Sequence, residues 1–170
     1  FDNNANIKID IGEETNQYIP RIKWTENPNI LSVQRLNRLQ NDLEILLSDA
    51  ETGKSHIIYH EENPYYIDIT NNLYFLKNGH FILTSEKDGY NHIYIFDETG
   101  KEIKQITHGQ WDVMSIVSVD KENELVYYTS SQDGSMNNML YSITFDGQNI
   151  QKMFEQEGTY NANFSKTHKY

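Results

Sequence analysis

Serines are the first candidates for chemistry, because a hydrolase needs a nucleophile held beside a base. In α/β-hydrolases the serine stands in a Gly-x-Ser-x-Gly turn, which lifts its hydroxyl out of a strained strand-to-helix connection. The sequence of 170 residues contains no such pentapeptide, and its nearest approach is Gly134-Ser135 in a predicted hairpin. We therefore predict no catalytic residue and no Ser-His-Asp triad, and we expect these residues alone to be inactive.

The six histidines are the next candidates, as metal ligands. His56 and His60 are four residues apart, which on a helix would place both on one face. On a strand, four residues span about 13 Å, which is too far for two ligands of one ion. The other four lack any carboxylate or Cys spacing typical of a metal site: His80, His92, His108 and His168. We predict no metal site, no cofactor, and structural or surface roles for all six.

Charge and composition exclude several classes of protein. The net charge is −11, and the 14 Lys and Arg residues are scattered along the chain, so nucleic acid is not an expected partner. No apolar run approaches 18 residues, and the first residues do not form a targeting signal, which we expect to be removed or to lie outside this chain. The absence of Cys excludes disulfides and thiolate zinc sites.

A repeat organises the chain. Apolar segments end on Asp49, Asp97 and Asp146, at intervals of 48 and 49 residues, and each Asp opens a polar turn before another apolar segment. Alternating or continuous apolar runs predict four antiparallel strands in each unit. The predicted first strands are YIPRIKWT at 18–25, YYIDIT at 65–70 and VMSIVSV at 113–119. Four strands in about 48 residues are typical of a β-propeller blade.

We therefore predict an all-β fold, a partial β-propeller of about three four-stranded antiparallel blades with flanking strands of neighbouring blades. The blades are predicted at 18–63, 65–109 and 112–158. Residues 1–17 are expected to end a preceding blade or to form a linker, and residues 159–170 to begin a further blade. Three similar meanders are also compatible with a β-sandwich or a half-open barrel.

Six segments in order along the chain carry a further signal: YIPRIKWT at 18–25, LNRLQN at 36–41, SEKDGYNHI at 85–93, THGQWDV at 107–113, YYTS at 127–130 and NFS at 163–165. In these motifs the chain resembles the amino-terminal propeller domain of the dipeptidyl peptidase IV family. The members of that family are prolyl oligopeptidase-like serine peptidases. The resemblance implies a parent exopeptidase that removes X-Pro or X-Ala dipeptides from peptide amino termini. Its triad would lie in a separate α/β-hydrolase domain.

The same resemblance implies the partners. They would be the remaining propeller blades, the hydrolase domain and the peptide substrate, whose access the propeller would gate. Separated from its neighbours, the chain is expected to self-associate through exposed blade faces. A bacterial parent would favour a periplasmic or extracellular location. The alternatives are a non-enzymatic propeller that acts as a binding scaffold, which a nucleophile elbow in the following sequence would exclude, and a carbohydrate-binding β-sandwich.

Substrate-binding residues are harder to assign. The family binds the substrate's ammonium with adjacent Glu residues, but neither Glu13-Glu14 nor Glu61-Glu62 stands at the matching position, so both pairs are expected to be solvated. Tyr65 and Tyr66 are weak candidates, because they open a predicted first strand and first strands line a propeller's channel, whereas packing within a blade is the favoured role for both. The family also places an Arg beside aromatic residues near the substrate pocket, and YYIDITNN contains no Arg.

Overall fold

The computed structural model describes residues 6–165, 167 and 168, and within them it contains twelve β-strands and no helix. The strands form three separate four-stranded sheets, in which every neighbouring pair is antiparallel and sequential strands are neighbours. No helix in this part of the chain is long and apolar enough to cross a membrane. By its contacts the chain divides into two compact units, Phe1–Asn71 and Asn72–Tyr170.

The first unit contains the first sheet, and the second unit contains the other two. The first sheet has the order β1-β2-β3-β4, with β1 at Gln17–Trp24, β2 at Ile30–Asn37, β3 at Asp42–Asp49 and β4 at Ser55–Glu62. The second sheet consists of β5 at Tyr74–Phe75, β6 at Phe81–Ser85, β7 at His92–Phe96 and β8 at Glu102–Gln105. The third sheet consists of β9 at Val113–Asp120, β10 at Leu125–Ser130, β11 at Met139–Thr144 and β12 at Gln151–Lys152.

One predicted strand is wrong. Residues 65–70 form no strand, and the first strand of the second sheet is the short β5, which begins at Tyr74. The side chain of Asn63 explains this, because its Oδ1 accepts hydrogen bonds from the backbone N–H groups of Tyr65 and Tyr66. Such a side-chain bond offers the backbone an alternative to a strand ladder. Further along, the N–H of Ile67 donates to the carbonyl of Gln40 rather than to a neighbouring strand (2.8 Å).

The three repeated Asp residues hold the turns between the third and fourth strands. The Oδ1 of Asp97 accepts hydrogen bonds from the hydroxyl and N–H of Thr99, at 2.6 and 2.9 Å, and from the N–H of Lys101 at 3.0 Å. Asp49 accepts in the same way from Thr52 and Glu51, and Asp146 accepts from Thr144 and Gln148. These bonds favour the charged carboxylate, so the pKa of each Asp lies below its usual value.

The core of the second unit lies between its two sheets. Every residue of β6 and β7 is buried, and the isoleucines of these two strands join side chains of β10 and β11 in one cluster that includes Ile93, Tyr128 and Met139. Hydrogen bonds also join the sheets, because Asn91 Nδ2 donates to the carbonyl of Val113 at 2.6 Å. Such a continuous apolar core is the main source of stability in a β domain.

The first unit has buried apolar residues of its own. Leu36, Leu43 and Ile67 form a buried cluster, against which Ile69 packs. Ile67 and Ile69 belong to the irregular segment of residues 63–71, so this segment covers one end of the sheet. Strand β1 is mostly exposed. Its large apolar side chains are therefore exposed to solvent: Tyr18, Ile19, Ile22 and Trp24. Tyr66, in the segment of residues 63–71, is also half-exposed.

Candidate functional site

A groove of about 410 Å³ lies in the first unit between β1, the turn from β2 to β3, and the segment of residues 63–71. Tyr66 and Arg21 stand on its lining, and we call it the Arg21–Tyr66 groove. Its other lining side chains are a mixture of apolar and polar groups: Tyr18, Ile19, Pro20, Leu36, Gln40, Asp68 and Ile69. An apolar lining with a few placed polar groups is typical of a ligand-binding surface.

The two tyrosine candidates differ in their position relative to this groove. The ring of Tyr66 is half-exposed and lines the groove, whereas Tyr65 is 88% exposed and is not part of the lining. Both backbone N–H groups are fixed by the side chain of Asn63, so the two rings start from a defined turn. The structure therefore gives Tyr66 a position from which it can contact a ligand in the groove.

Arg21 supplies the cationic group that the local sequence around Tyr66 lacks. Its Nε donates a hydrogen bond to Asn71 Oδ1 at 2.7 Å, and one terminal N–H group donates to the carbonyl of Pro20 at 2.8 Å. A guanidinium carries five N–H donors in a rigid plane, so these two contacts orient it and use only two donors. Sequence reasoning missed Arg21 because it precedes Tyr66 by 45 residues. Only the folding of residues 63–71 back onto β1 brings them together.

The wall of the groove contains a strained residue. Gln40, in the turn from β2 to β3, has a φ of 58°, in the left-handed region that favours glycine. Its N–H donates to the carbonyl of Asn37 at 3.0 Å, and its own carbonyl accepts from Ile67 N–H at 2.8 Å. These bonds hold Gln40 in place and attach the segment bearing Tyr66 to the sheet. Strained backbone of this kind often occurs at functional sites.

Glutamate pairs do not converge on a common point. Glu61 and Glu62 lie in β4 rather than in a loop, and adjacent residues of a strand point to opposite faces. Glu61 accepts a hydrogen bond from the hydroxyl of Tyr59, whereas Glu62 Oε1 lies 3.7 Å from the ring of His60. Glu13 and Glu14 are exposed, and Glu14 accepts from the N–H of Asn16 at 2.6 Å. Neither pair forms a two-carboxylate clamp for an ammonium group.

A Ser-His-Asp arrangement does occur where His168 lies against β9 of the third sheet. Ser118 Oγ lies 2.8 Å from His168 Nε2, and His168 Nδ1 lies 4.0 Å from Asp120 Oδ2. The second distance is too long for the hydrogen bond that orients a catalytic histidine. Instead the His168 ring stacks on Tyr127, with ring centroids 5.9 Å apart. We interpret this arrangement as packing around the end of the described chain.

Asp120 is already committed to the turn that follows it. Burial alone would raise its pKa, but hydrogen bonds from the Asn123 side chain and from the N–H groups of Asn123 and Glu122 hold the pKa below its usual value. A carboxylate with these three local donors serves the turn after β9. The chance spacing of Ser118 and Asp120 on one strand therefore needs no catalytic explanation.

Histidines occupy contrasting positions. His92 is completely buried, with its two ring nitrogens bonded to Thr107 Oγ1 at 3.1 Å and to the Gly109 carbonyl at 3.0 Å. His60 is exposed on β4, where its Nε2 lies 3.0 Å from Asp42 Oδ1. Asp42, His60 and Glu62 present ligand atoms within 4.8 Å of one another. Spacing within β4 could not reveal this group, because Asp42 belongs to the neighbouring strand.

Comparison with known proteins identifies the fold and the family. A family described as the dipeptidyl peptidase IV (DPP IV) N-terminal region matches residues 1–170. The chain resembles the crystal structure of Porphyromonas gingivalis dipeptidyl peptidase 4 with a TM-score of 0.87 and 33% identity, over 94% of this chain and 23% of that one. The three four-stranded sheets of this chain thus confirm the predicted all-β fold and partial β-propeller.

Two fungal relatives, both named "Probable dipeptidyl peptidase 4", are also similar. The Emericella nidulans protein is 26% identical over 83% of this chain and 20% of its own length. The Aspergillus flavus protein is 29% identical over 81% of this chain and 19% of its own length. The chain thus spans about a fifth of the length of these relatives. Because the family matches the chain over its whole length, the chain belongs to the family of the dipeptidyl peptidase IV N-terminal region.

Proposed function

We propose that this chain is a non-catalytic part of the propeller of a dipeptidyl peptidase, and that the Arg21–Tyr66 groove helps to bind the peptide substrate. Cleavage of an X-Pro or X-Ala dipeptide would take place in an α/β-hydrolase domain outside these residues. Family membership supports the proposal, as do longer relatives that carry the peptidase name. The propeller would also restrict access to the hydrolase site.

The observation that carries the peptide-binding role is an oriented guanidinium in the same groove as an open aromatic ring. Peptide carbonyl and carboxylate oxygens accept hydrogen bonds from Arg in a fixed plane. The ring of Tyr66 offers an apolar face on which a proline or alanine side chain can pack. Asp68 on the same lining adds a negative charge that can attract a peptide ammonium group. These groups can orient a peptide, although they supply no nucleophile.

Tyr66 and Tyr65 provide a matched test of this role. In the complete protein that carries this chain, we expect Tyr66→Ala to raise the KM for X-Pro substrates several-fold with little change in kcat. Tyr65→Ala removes the same ring from the adjacent position outside the groove and should leave both constants within about twofold, as for surface substitutions. If both variants behave alike, or if Tyr66→Ala lowers kcat alone, the proposed groove does not bind substrate.

Ser118 provides the test of the non-catalytic part of the proposal. The Ser118→Ala variant of the complete protein should retain unchanged turnover. The Ser118 hydroxyl hydrogen-bonds to His168 but, on this proposal, forms no covalent intermediate with the substrate. The isolated chain should not cleave a Gly-Pro chromogenic substrate. Turnover by the isolated chain that disappears in Ser118→Ala would show that the chemistry lies within these residues and would contradict the proposal.

Self-association of the isolated chain is part of the same proposal. Ile22 and Trp24 are 64% and 56% exposed on β1, and large apolar groups in this position are unusual on a freely soluble surface. We expect light scattering to detect oligomers whose fraction rises with concentration and falls in an Ile22→Ser, Trp24→Ser double variant. A monodisperse monomer at all concentrations would show that the exposed side chains of β1 do not mediate self-association.

A further inference from the structure

Three potential metal ligands meet on the first sheet, at the end of the ladder between β3 and β4. Asp42 is the first residue of β3 and pairs directly with Glu62, the last residue of β4. His60 precedes Glu62 by two residues and therefore projects from the same face of the strand. We call these three residues the Asp42 cluster.

Distances within the Asp42 cluster suit coordination of one ion. His60 Nε2 lies 3.0 Å from Asp42 Oδ1 and 3.7 Å from Glu62 Oε1. Ligand atoms bound to zinc at about 2.1 Å in tetrahedral geometry are about 3.4 Å apart, midway between the two distances observed. Small side-chain rotations would therefore place an ion in contact with all three groups.

Another carboxylate of β3, two residues along the strand from Asp42, shows what the cluster lacks. Glu44, which pairs with His60 on β4 and with Arg35 on β2, forms a salt bridge with the Arg35 guanidinium. In the described chain, no Lys or Arg stands within 4.0 Å of the Asp42 or Glu62 carboxylates. Two carboxylates directly opposite each other on neighbouring strands repel. A bound cation would remove that repulsion.

A hollow of about 520 Å³ adjoins the two carboxylates and is also lined by Asn37, Asn41 and Asn63. The backbone there is well supported, because Asn63 N–H donates to the Asn41 carbonyl at 2.9 Å and Asn41 N–H donates to Asn37 Oδ1 at 3.0 Å. An ion held by the cluster would thus face an open, polar space. Water or a small anion could complete its coordination from that side.

We propose that Asp42, His60 and Glu62 form a binding site for a divalent transition-metal ion of the zinc type. One imidazole with two carboxylates suits zinc and its neighbours, whereas Mg²⁺ and Ca²⁺ prefer six or more oxygen ligands. The ion would join the end of β4 to the start of β3. It would also fix the residue immediately before Asn63, from which the segment bearing Tyr66 begins.

Calorimetric titration of the full chain with ZnCl₂ tests this site, with His56→Gln as the matched control on the same strand. We expect one saturable site in the wild type and in His56→Gln. We expect affinity to fall at least about tenfold in each of Asp42→Asn, His60→Gln and Glu62→Gln, since even indirect partners of metal ligands contribute 10- to 100-fold. The three side chains are partly exposed, so far-UV circular dichroism should show an unchanged fold in every variant.

Two further measurements separate this site from other zinc-binding histidines. Replacement of Zn²⁺ by Co²⁺ should give visible absorption bands in the wild type, and these bands should be absent in His60→Gln. In a separate competition experiment, excess Mg²⁺ or Ca²⁺ should not displace zinc. The proposal is overturned if the wild type shows no saturable zinc binding, or if binding is unchanged in His60→Gln. It is equally overturned if binding depends instead on His80 or His168.

Discussion

The β6–β7 hairpin and the β3–β4 hairpin are built on the same antiparallel pairing, yet His92 of the first and His60 of the second lie in opposite environments. In the first, His92 is completely buried and both ring nitrogens bond to groups of the scaffold. In the second, His60 is exposed beside two carboxylates that have no Lys or Arg partner in the described chain. Of these two histidines, only His60 is therefore open to a ligand from solvent, because the ring nitrogens of His92 are already bonded inside the sheet.

The largest expected difference concerns the apolar residues of the two hairpins. Ile93 on β7 is completely buried, and we expect Ile93→Ala to lower the free energy of unfolding by about 2–5 kcal/mol. Ile57 on β4 is 47% exposed, and the same substitution there should cost about 1 kcal/mol or less. Urea denaturation of the two variants measures both values. Equal losses would show that burial at these two positions does not determine the cost of the substitution.

The histidines themselves give the next largest difference. His92→Gln cannot preserve both ring contacts, which should leave a buried group of Thr107 or Gly109 unpaired at a cost of about 1–3 kcal/mol. His60→Gln in metal-free buffer should change stability by no more than about 0.5 kcal/mol. The same denaturation experiment, with a chelator present, compares them. A large loss in metal-free His60→Gln would assign His60 a structural role.

The Asp turn that follows the third strand of each sheet gives a smaller, pH-dependent effect. The Thr99 hydroxyl, with the N–H groups of Thr99 and Lys101, lowers the pKa of Asp97, and Thr52 similarly lowers that of Asp49. Because the folded pKa is lowered, this stabilisation is fully present above the unfolded value of 3.8 and is lost as the pH falls through the folded value. Asp97→Asn should therefore lose less stability than the wild type between about pH 5 and pH 2. Parallel acid titrations followed by circular dichroism would detect the difference, and identical curves would contradict it.

The sequence predicted the parts of the fold that depend on local pattern. The Asp turns and the inner strands are set by alternation, by Gly and by side-chain hydrogen bonds within a few residues, so their positions could be read directly. The strand predicted at residues 65–70 was wrong, because Asn63 captures the N–H groups of Tyr65 and Tyr66 before a ladder can form. Nothing in the alternation of YYIDIT reveals that competition.

The candidate sites were less predictable, because they are assembled from distant residues. Tyr66 could be selected as an aromatic residue, but its Arg partner comes from β1, and the register of β1 against the segment of residues 63–71 is a tertiary property. In the same way, Asp42 reaches His60 only through the β3–β4 pairing. A search for carboxylates across predicted neighbouring strands, rather than along one strand, would have found the Asp42 cluster. The division of the chain into blades at 18–63, 65–109 and 112–158 stays a prediction, as does the assignment of residues 159–170, which lie partly outside the described residues.

The central claim, that this chain binds peptide without performing the chemistry, is tested most directly by the kinetics of Arg21 variants of the complete protein. An Arg hydrogen bond to a peptide oxygen contributes about 1.5–3 kcal/mol, so Arg21→Ala should raise the KM for an X-Pro substrate about tenfold or more with kcat nearly unchanged. Arg21→Lys should recover part of that loss, because it restores the charge without the planar donors. An unchanged KM in Arg21→Ala, or a fall in kcat with constant KM, would contradict the account.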